Sequence, residues 1–246
     1  MDKTFKDENL QRTFAYVFDA STIQTIYKLA TKGHIQLLEF VISTGKEAHV
    51  FRALDQSGGF RAVKVYKTDT STFQDMMKYI KGDQRFEKVG NDKREIVAAW
   101  TQKEFKNLEL CRKANVSAPL PFAFLNNVLV MEFIGENGIA SPSLREVSKI
   151  DIDWEDVYAQ VIENMSKLLY DAKLVHADLS EYNMLFRNGK VIFIDLGQAV
   201  LSSHPNAREF FDRDVKNLSN YFRKKGLDVS AEKMTEELRK RKPKTA

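Results

Sequence analysis

The chain has 246 residues, 43% of them hydrophobic, with 38 basic against 34 acidic side chains and a net charge of +4. That length suits one large domain or two lobes with a real core, and the lack of any apolar stretch of about 18 residues excludes a membrane-spanning helix. Its single cysteine, Cys111, excludes an internal disulfide framework.

The charged opening segment, Met1–Phe14, has no apolar run and is not a secretory signal, so the cytoplasm is the natural compartment. Between Asp19 and Leu38, apolar residues recur at helical spacing (Ile23, Ile26, Leu29, Ala30), with Ser21 and Thr22 as candidate N-caps and Gly33 as the stop. Phe40–Ala53 reads as strand, turn and strand, with the turn at Ser43–Ala48, and Phe60–Tyr66 as a further alternating strand. Asp69–Asp92 is polar, weakly periodic and expected to be partly helical and mobile. Lys93–Ala114 is a long helix with Ile96, Val97, Trp100, Phe105, Leu108 and Leu110 near its apolar side. Pro119 and Pro121 break the chain before a strand at Asn127–Phe133. Trp154–Ala172 is a helix, followed by a loop at His176–Asn183, a strand pair near Met184–Phe186 and Val191–Ile194, and C-terminal helices. Strands crowd the first half and helices the second. The pattern predicts an α+β fold in two lobes: helices in 1–39, an antiparallel N-lobe over 40–134 with a flexible loop at 67–93, and a mainly helical C-lobe over 135–246. The basic end, Glu237–Ala246, reads as a frayed helix and solvated tail, with RNA phosphate contact as the sharper alternative.

Five segments carry chemistry. His176-Ala177-Asp178 with Asn183 five residues on matches the spacing of a phosphotransferase loop, in which the Asp serves the nucleophile and the Asn, a neutral hard oxygen donor, holds a metal. Alone, such a loop also caps helices. Asp195-Leu196-Gly197 ends a buried-looking strand, where a carboxylate suits magnesium; Leu stands where Phe is usual. Lys64, inside Ala62-Val63-Lys64-Val65, suits α- and β-phosphates, although an edge-strand lysine facing water reads the same way. Its partner should be a glutamate on the long helix; Glu104 is the choice, with Glu95 and Glu109 behind it. The turn Ser43-Thr44-Gly45-Lys46-Glu47 is no Walker A loop but offers hydroxyls, amides and a cation to phosphate. Met131, Glu132 and Ile134 lie where adenine would dock, the first gating the pocket and the backbone of the other two reading the base. Each signal is modest alone. Their shared order along one chain is what carries weight.

STGKEAHVF, AVKVY, VLVMEFIG, HADLSEYN and IDLGQ together resemble the RIO family of atypical protein kinases, and STGKEA with LSEYN is closest in wording to its Rio-one subfamily. The resemblance spans about Val17 to Leu227, and the short length is similar to that of archaeal members. It implies a two-lobed kinase-like fold using ATP and Mg2+, with Mn2+ as substitute. Asp178 would be the catalytic base, Asn183 and Asp195 the metal ligands, and Lys64, Ser43 and Lys46 ATP contacts. It also implies a phosphate-accepting role for Asp195, autophosphorylation on serine, and work on the precursor of the small ribosomal subunit, its protein and rRNA. Ser71 and nearby threonines are candidate acceptors.

Little chain follows Asp195, and no A-P-E motif appears, so a full peptide-binding lobe is not expected. That keeps an ATP-driven assembly switch open beside a serine/threonine kinase. A small-molecule kinase is a remoter alternative, since its larger acidic substrate lobe would not fit.

Overall fold

The computed structural model describes residues 18–68, 73–86, 89–90, 92–147 and 152–243. The candidate acceptor Ser71 and residues 1–17 lie outside them, as does part of the 67–93 loop.

Phe60–Tyr66 (β3) is buried on both faces because it is central. It pairs antiparallel with Ala48–Leu54 (β2) on one side and Val128–Glu132 (β5) on the other. Leu37–Thr44 (β1) and Pro121–Leu125 (β4) complete the sheet in the order β1-β2-β3-β5-β4. Alternation along β3 sends Val63 and Val65 to one face and Lys64 and Tyr66 to the other. Ala20–Thr31 (α1) covers the first face, burying Ile26 and Leu29 with Leu38, Phe51 and Val130. Thr22 and Thr25 of α1 accept from the Asn127 and Asn126 side chains at 2.9 Å. Phe73–Ile80 (α2) and Lys93–Lys113 (α3) bring Met76, Val97 and Trp100 against Tyr66 on the opposite face. A 3-10 turn spans Gln84–Phe86.

Some boundaries differ from expectation. Asp19, not Ser21 or Thr22, caps α1, its carboxylate accepting from the Thr22 amide at 2.7 Å. The helix ends at Thr31; Leu38 belongs to β1, whose alternation begins before Phe40. Ser43 and Thr44 finish that strand, opposite Val50 and His49. Gly33 does close the helix, at φ +83°.

The described chain divides into two compact units. One gathers the residues up to Lys81 with Phe86–Lys106 and Leu120–Ala140, including the short hairpin Gly135–Glu136 (β6) and Ile139–Ala140 (β7). The other takes Gly82–Arg85, Asn107–Pro119 and the chain from Ser141 onward. In this second unit Trp154–Tyr170 (α4), Ala207–Lys224 (α5) and Ala231–Lys240 (α6) form the helical body. Asp153 caps α4 through the Glu155 and Asp156 amides, and Ser230 caps α6. Tyr158 packs edge-on against Phe222 of α5 and donates to Glu237 of α6. Two ribbons complete the unit. Leu174–Val175 (β8) pairs with Val200–Leu201 (β11), and Met184–Arg187 (β9) with Lys190–Phe193 (β10). Cys111 is fully buried on α3, and burial pushes its thiol up to about 12. Among the described residues no helix is long and apolar enough to cross a membrane.

Candidate active site

In the first unit, strand alternation turns Lys64 toward α3, where Glu104 waits. Lys64 Nζ donates to Glu104 Oε1 at 2.9 Å, with the two residues only 6% and 1% exposed. An isolated lysine at that depth would be costly, so the glutamate's opposite charge is what permits it. Tyr66, on the same face of β3, donates a short hydrogen bond to Glu104 Oε2. The Glu104 carboxylate is therefore gripped at both oxygens, by Lys64 and by Tyr66. Lys64 lies in the middle of the sheet, not on an edge facing water.

The turn after β1 is closed by the Gly45 amide donating to Ala48 O at 2.8 Å. Ser43, Thr44, Gly45 and Lys46 are exposed, with Thr44 Oγ1 3.3 Å from His49 Nδ1, and the Glu47 carbonyl accepts from the Lys67 amide. Lys67 Nζ donates to Gly45 O, adding a second cation at the turn. At the end of β5, Met131 and Ile134 are buried, while the half-buried Glu132 uses its amide on Leu120 O. Gly135 follows because any side chain there would strike the Ile139 carbonyl and the Phe133 ring.

In the second unit, the loop from His176 to Asn183 is held from three sides. His176 Nε2 donates to Ile194 O at 3.0 Å; a carbonyl only accepts, so this nitrogen carries the proton. Ala177 sits at φ +68°, a strained position for a residue with a Cβ. The strain is held by Asp214 of α5, which accepts from the Ala177 amide at 2.8 Å and the Leu179 amide at 2.9 Å, and by Arg213, which donates a short bond to Ala177 O. Burial pushes the Asp214 carboxyl up to about 7 despite those two donors and the Arg213 charge.

The loop then brings Asp178 and Asn183 together. Asn183 Nδ2 donates to Asp178 O at 2.8 Å and to Asp178 Oδ2 at 3.0 Å, so its Oδ1 is the atom fit to meet a cation. Burial, then the negative charge of Asp195, raises Asp178 above the ordinary carboxylate range, against the Asn183 hydrogen bond and Arg213. Gln198 reaches Asp178 Oδ2 at 3.5 Å. Asp195 is exposed and left-handed, at φ +61°, just after the Ile194 amide donates to Asn183 O. Among the described residues no group of three or more His, Cys, Asp or Glu could hold a metal. One amide oxygen plus one carboxylate, completed by phosphate oxygens and water, is the kind of donor set magnesium takes.

Reading the sequence alone misses Tyr66, Lys67, Gln198, Arg213 and Asp214. Asp214 has a findable signal: it breaks the apolar stripe Phe210, Leu218, Phe222 on a helix face that must be buried.

The RIO domain family matches residues 49–235. The chain belongs to the RIO family. Among RIO relatives, the RIO-type serine/threonine-protein kinase Rio1 of Haloferax volcanii is 42% identical over 231 residues, covering 94% of this chain and 79% of the relative. The Rio1 kinase of Methanocaldococcus jannaschii is 39% identical, covering 94% and 81%. Human RIO1 is 39% identical over 227 residues, of which this chain spans 40% of the length. These similarities place the chain with the Rio1 subfamily. A crystal structure of the Rio2 kinase from Chaetomium thermophilum, a complex with ADP/Mg2+ and phosphoaspartate, shares the fold at a TM-score of 0.66 and 21% identity. That likeness covers 87% of this chain and 65% of the Rio2 chain. The architecture is thus the α+β kinase-type fold of RIO proteins.

Proposed function

We propose that this chain is an ATP- and magnesium-dependent serine/threonine protein kinase. One observation carries the reading: Asp178 and Asn183 are joined at 3.0 Å on a loop fixed by Asp214, with the Asp195 charge felt at Asp178. Family membership and the kinase names of the relatives support it.

Phosphoryl transfer asks a protein mainly to position reactants and to spread charge. Lys64, steadied by Glu104 and Tyr66, binds the α- and β-phosphates. Ser43, Thr44 and Lys46 meet phosphate oxygens, and Met131, Glu132 and Ile134 receive adenine. Asn183 Oδ1 and Asp195 hold magnesium, which when bound neutralises phosphate charge. Asp178 aligns a serine hydroxyl and takes its proton as the oxygen–phosphorus bond forms; its raised pKa makes it a better base. Asp195 is also a candidate acceptor: its carboxylate oxygen would take the γ-phosphoryl group as ADP leaves.

The test is incubation with γ-labelled ATP and magnesium, following protein label and free phosphate together. Serine label that disappears in Asp178→Ala supports the kinase reading. A wild-type protein that binds ATP yet labels neither itself nor any added protein counts against it. Hydroxylamine-sensitive label, lost in Asp195→Asn, would identify the acyl phosphate.

A second reading is an ATPase switch on small-subunit ribosomal precursors in the cytoplasm. It is favoured by the short passage Leu196–Asn206 between Asp195 and α5, part of which pairs as β11 with β8 and leaves little chain to hold a peptide. Phosphate release that rises with precursors while protein label stays slight would select it.

A further inference from the structure

Asp195 needs its left-handed backbone to be held from both sides, and the two sides are held by different parts of the second unit. Upstream, Ile194 is fixed by the Asn183 carbonyl and the His176 ring. Downstream, the fixing group is Asn107 of α3, which the sequence gives no reason to single out. Asn107 is fully buried. Its Nδ2 donates to Leu196 O and to Ala199 O, both at 2.8 Å. Its Oδ1 accepts from Arg85 Nη2 at 2.9 Å. The amide's orientation is fixed by chemistry, because two carbonyls can only accept and a guanidinium can only donate. Every hydrogen-bonding site on Nδ2 is used, as a buried amide requires.

Arg85 is locked in turn. Its Nε and Nη2 form a fork on Asp83, at 2.9 Å to Oδ1 and 2.7 Å to Oδ2, and Asp83 is itself 1% exposed. The Arg85 amide also donates to Asp83 Oδ1, so the Gly82–Arg85 strap folds around the carboxylate. A charge pair this deep is costly to assemble and costly to break. It acts as a rigid stop behind the Asn107 oxygen.

We propose that Asn107, held by the Asp83–Arg85 pair, is a positioning residue that fixes Leu196–Ala199 and so sets Asp195 in its metal-binding conformation. The inference rests on the kinase reading of Asp195. Groups that orient a metal ligand without touching the metal typically alter metal affinity by about 10–100-fold when removed.

The experiment is magnesium titration of phosphotransfer at saturating ATP, for wild type, Asn107→Leu, Arg85→Met and Arg85→Lys, with thermal unfolding of each. Asn107→Leu should raise the magnesium concentration for half-maximal rate by about tenfold. Arg85→Met should raise it by a smaller factor, and Arg85→Lys, which keeps a cation on Asp83, should recover part of that loss. Nucleotide binding measured without magnesium should stay within about twofold of wild type. If Asn107→Leu does not fold, Arg85→Lys decides, since it keeps a cation on the buried Asp83 while losing the guanidinium donor to Asn107 Oδ1. Folded variants with unshifted magnesium dependence overturn the inference alone. A wild-type protein without magnesium-dependent transfer overturns the kinase reading and this inference with it.

Discussion

Asp178→Asn keeps the size of the side chain but removes the base, so phosphotransfer should fall about a thousandfold while ATP binding by fluorescence titration survives. Tyr66→Phe tests the second grip on Glu104. Losing a hydrogen bond to a charged, buried carboxylate should cost about 1.5–3 kcal/mol in urea unfolding and raise the KM for ATP more than it lowers kcat. Asp214 is the residue with the plainest pH signature. Its carboxyl is held at about 7 in the fold against 3.8 in the unfolded chain, so folding takes up a proton between those values. The stability it gives is complete below the lower value and is lost as pH rises through about 7. Arg213 and Asp178 face it, and Asp178 shifts in the same direction. The comparison with Asp214→Asn therefore isolates its share: the decline in unfolding free energy should flatten in the variant. The variant should also lose about 1–3 kcal/mol, because an amide turns a donor toward one of the two backbone N–H groups.

At the scale of elements, strand β3 and the Asp178–Asn183 loop are legible in the sequence because their signals are local. Two-residue alternation defines the strand, and a fixed spacing of Asp and Asn defines the loop. Glu104 is legible as Lys64's partner for the same reason, being the glutamate with Phe105 and Leu108 as neighbours on the helix. The rest of α3 is not. Thr101, Lys103, Glu104 and Asn107 are all buried, so the helix has no clean polar face, and its pattern conceals Asn107 among ordinary polar residues. Asp19 as the cap of α1 is hidden by two equally good capping residues just after it. Partners far apart in sequence, such as Asp214 with the Ala177 amide, depend on how helices pack and leave no local trace. Gly82 belongs to this class. It sits at φ +90°, and a Cβ would come within 2.9 Å of Pro205 Cδ. Gly82→Ala should destabilise the fold by about 1–3 kcal/mol in urea unfolding.

For the whole molecule, nucleotide binding and folding are linked. Any ligand that binds only the folded chain stabilises it by about 2.7 kcal/mol at a hundred times its Kd. ATP with magnesium should therefore raise the melting temperature of the wild type. In Asn183→Ala the increment from ATP alone should persist, and the further increment from magnesium should vanish. Equal magnesium increments in both proteins would remove Asn183 from the metal site.

Cys111 gives the second unit its own clock. A thiol reacts as the thiolate, and this one is shut away in α3 with its pKa pushed to about 12. An aromatic disulfide reagent should find nothing to modify in the closed protein, so each molecule that turns yellow records one opening of that helix. The colour of the released aromatic thiolate then reports openings from inside the native state, with no residue substituted beforehand.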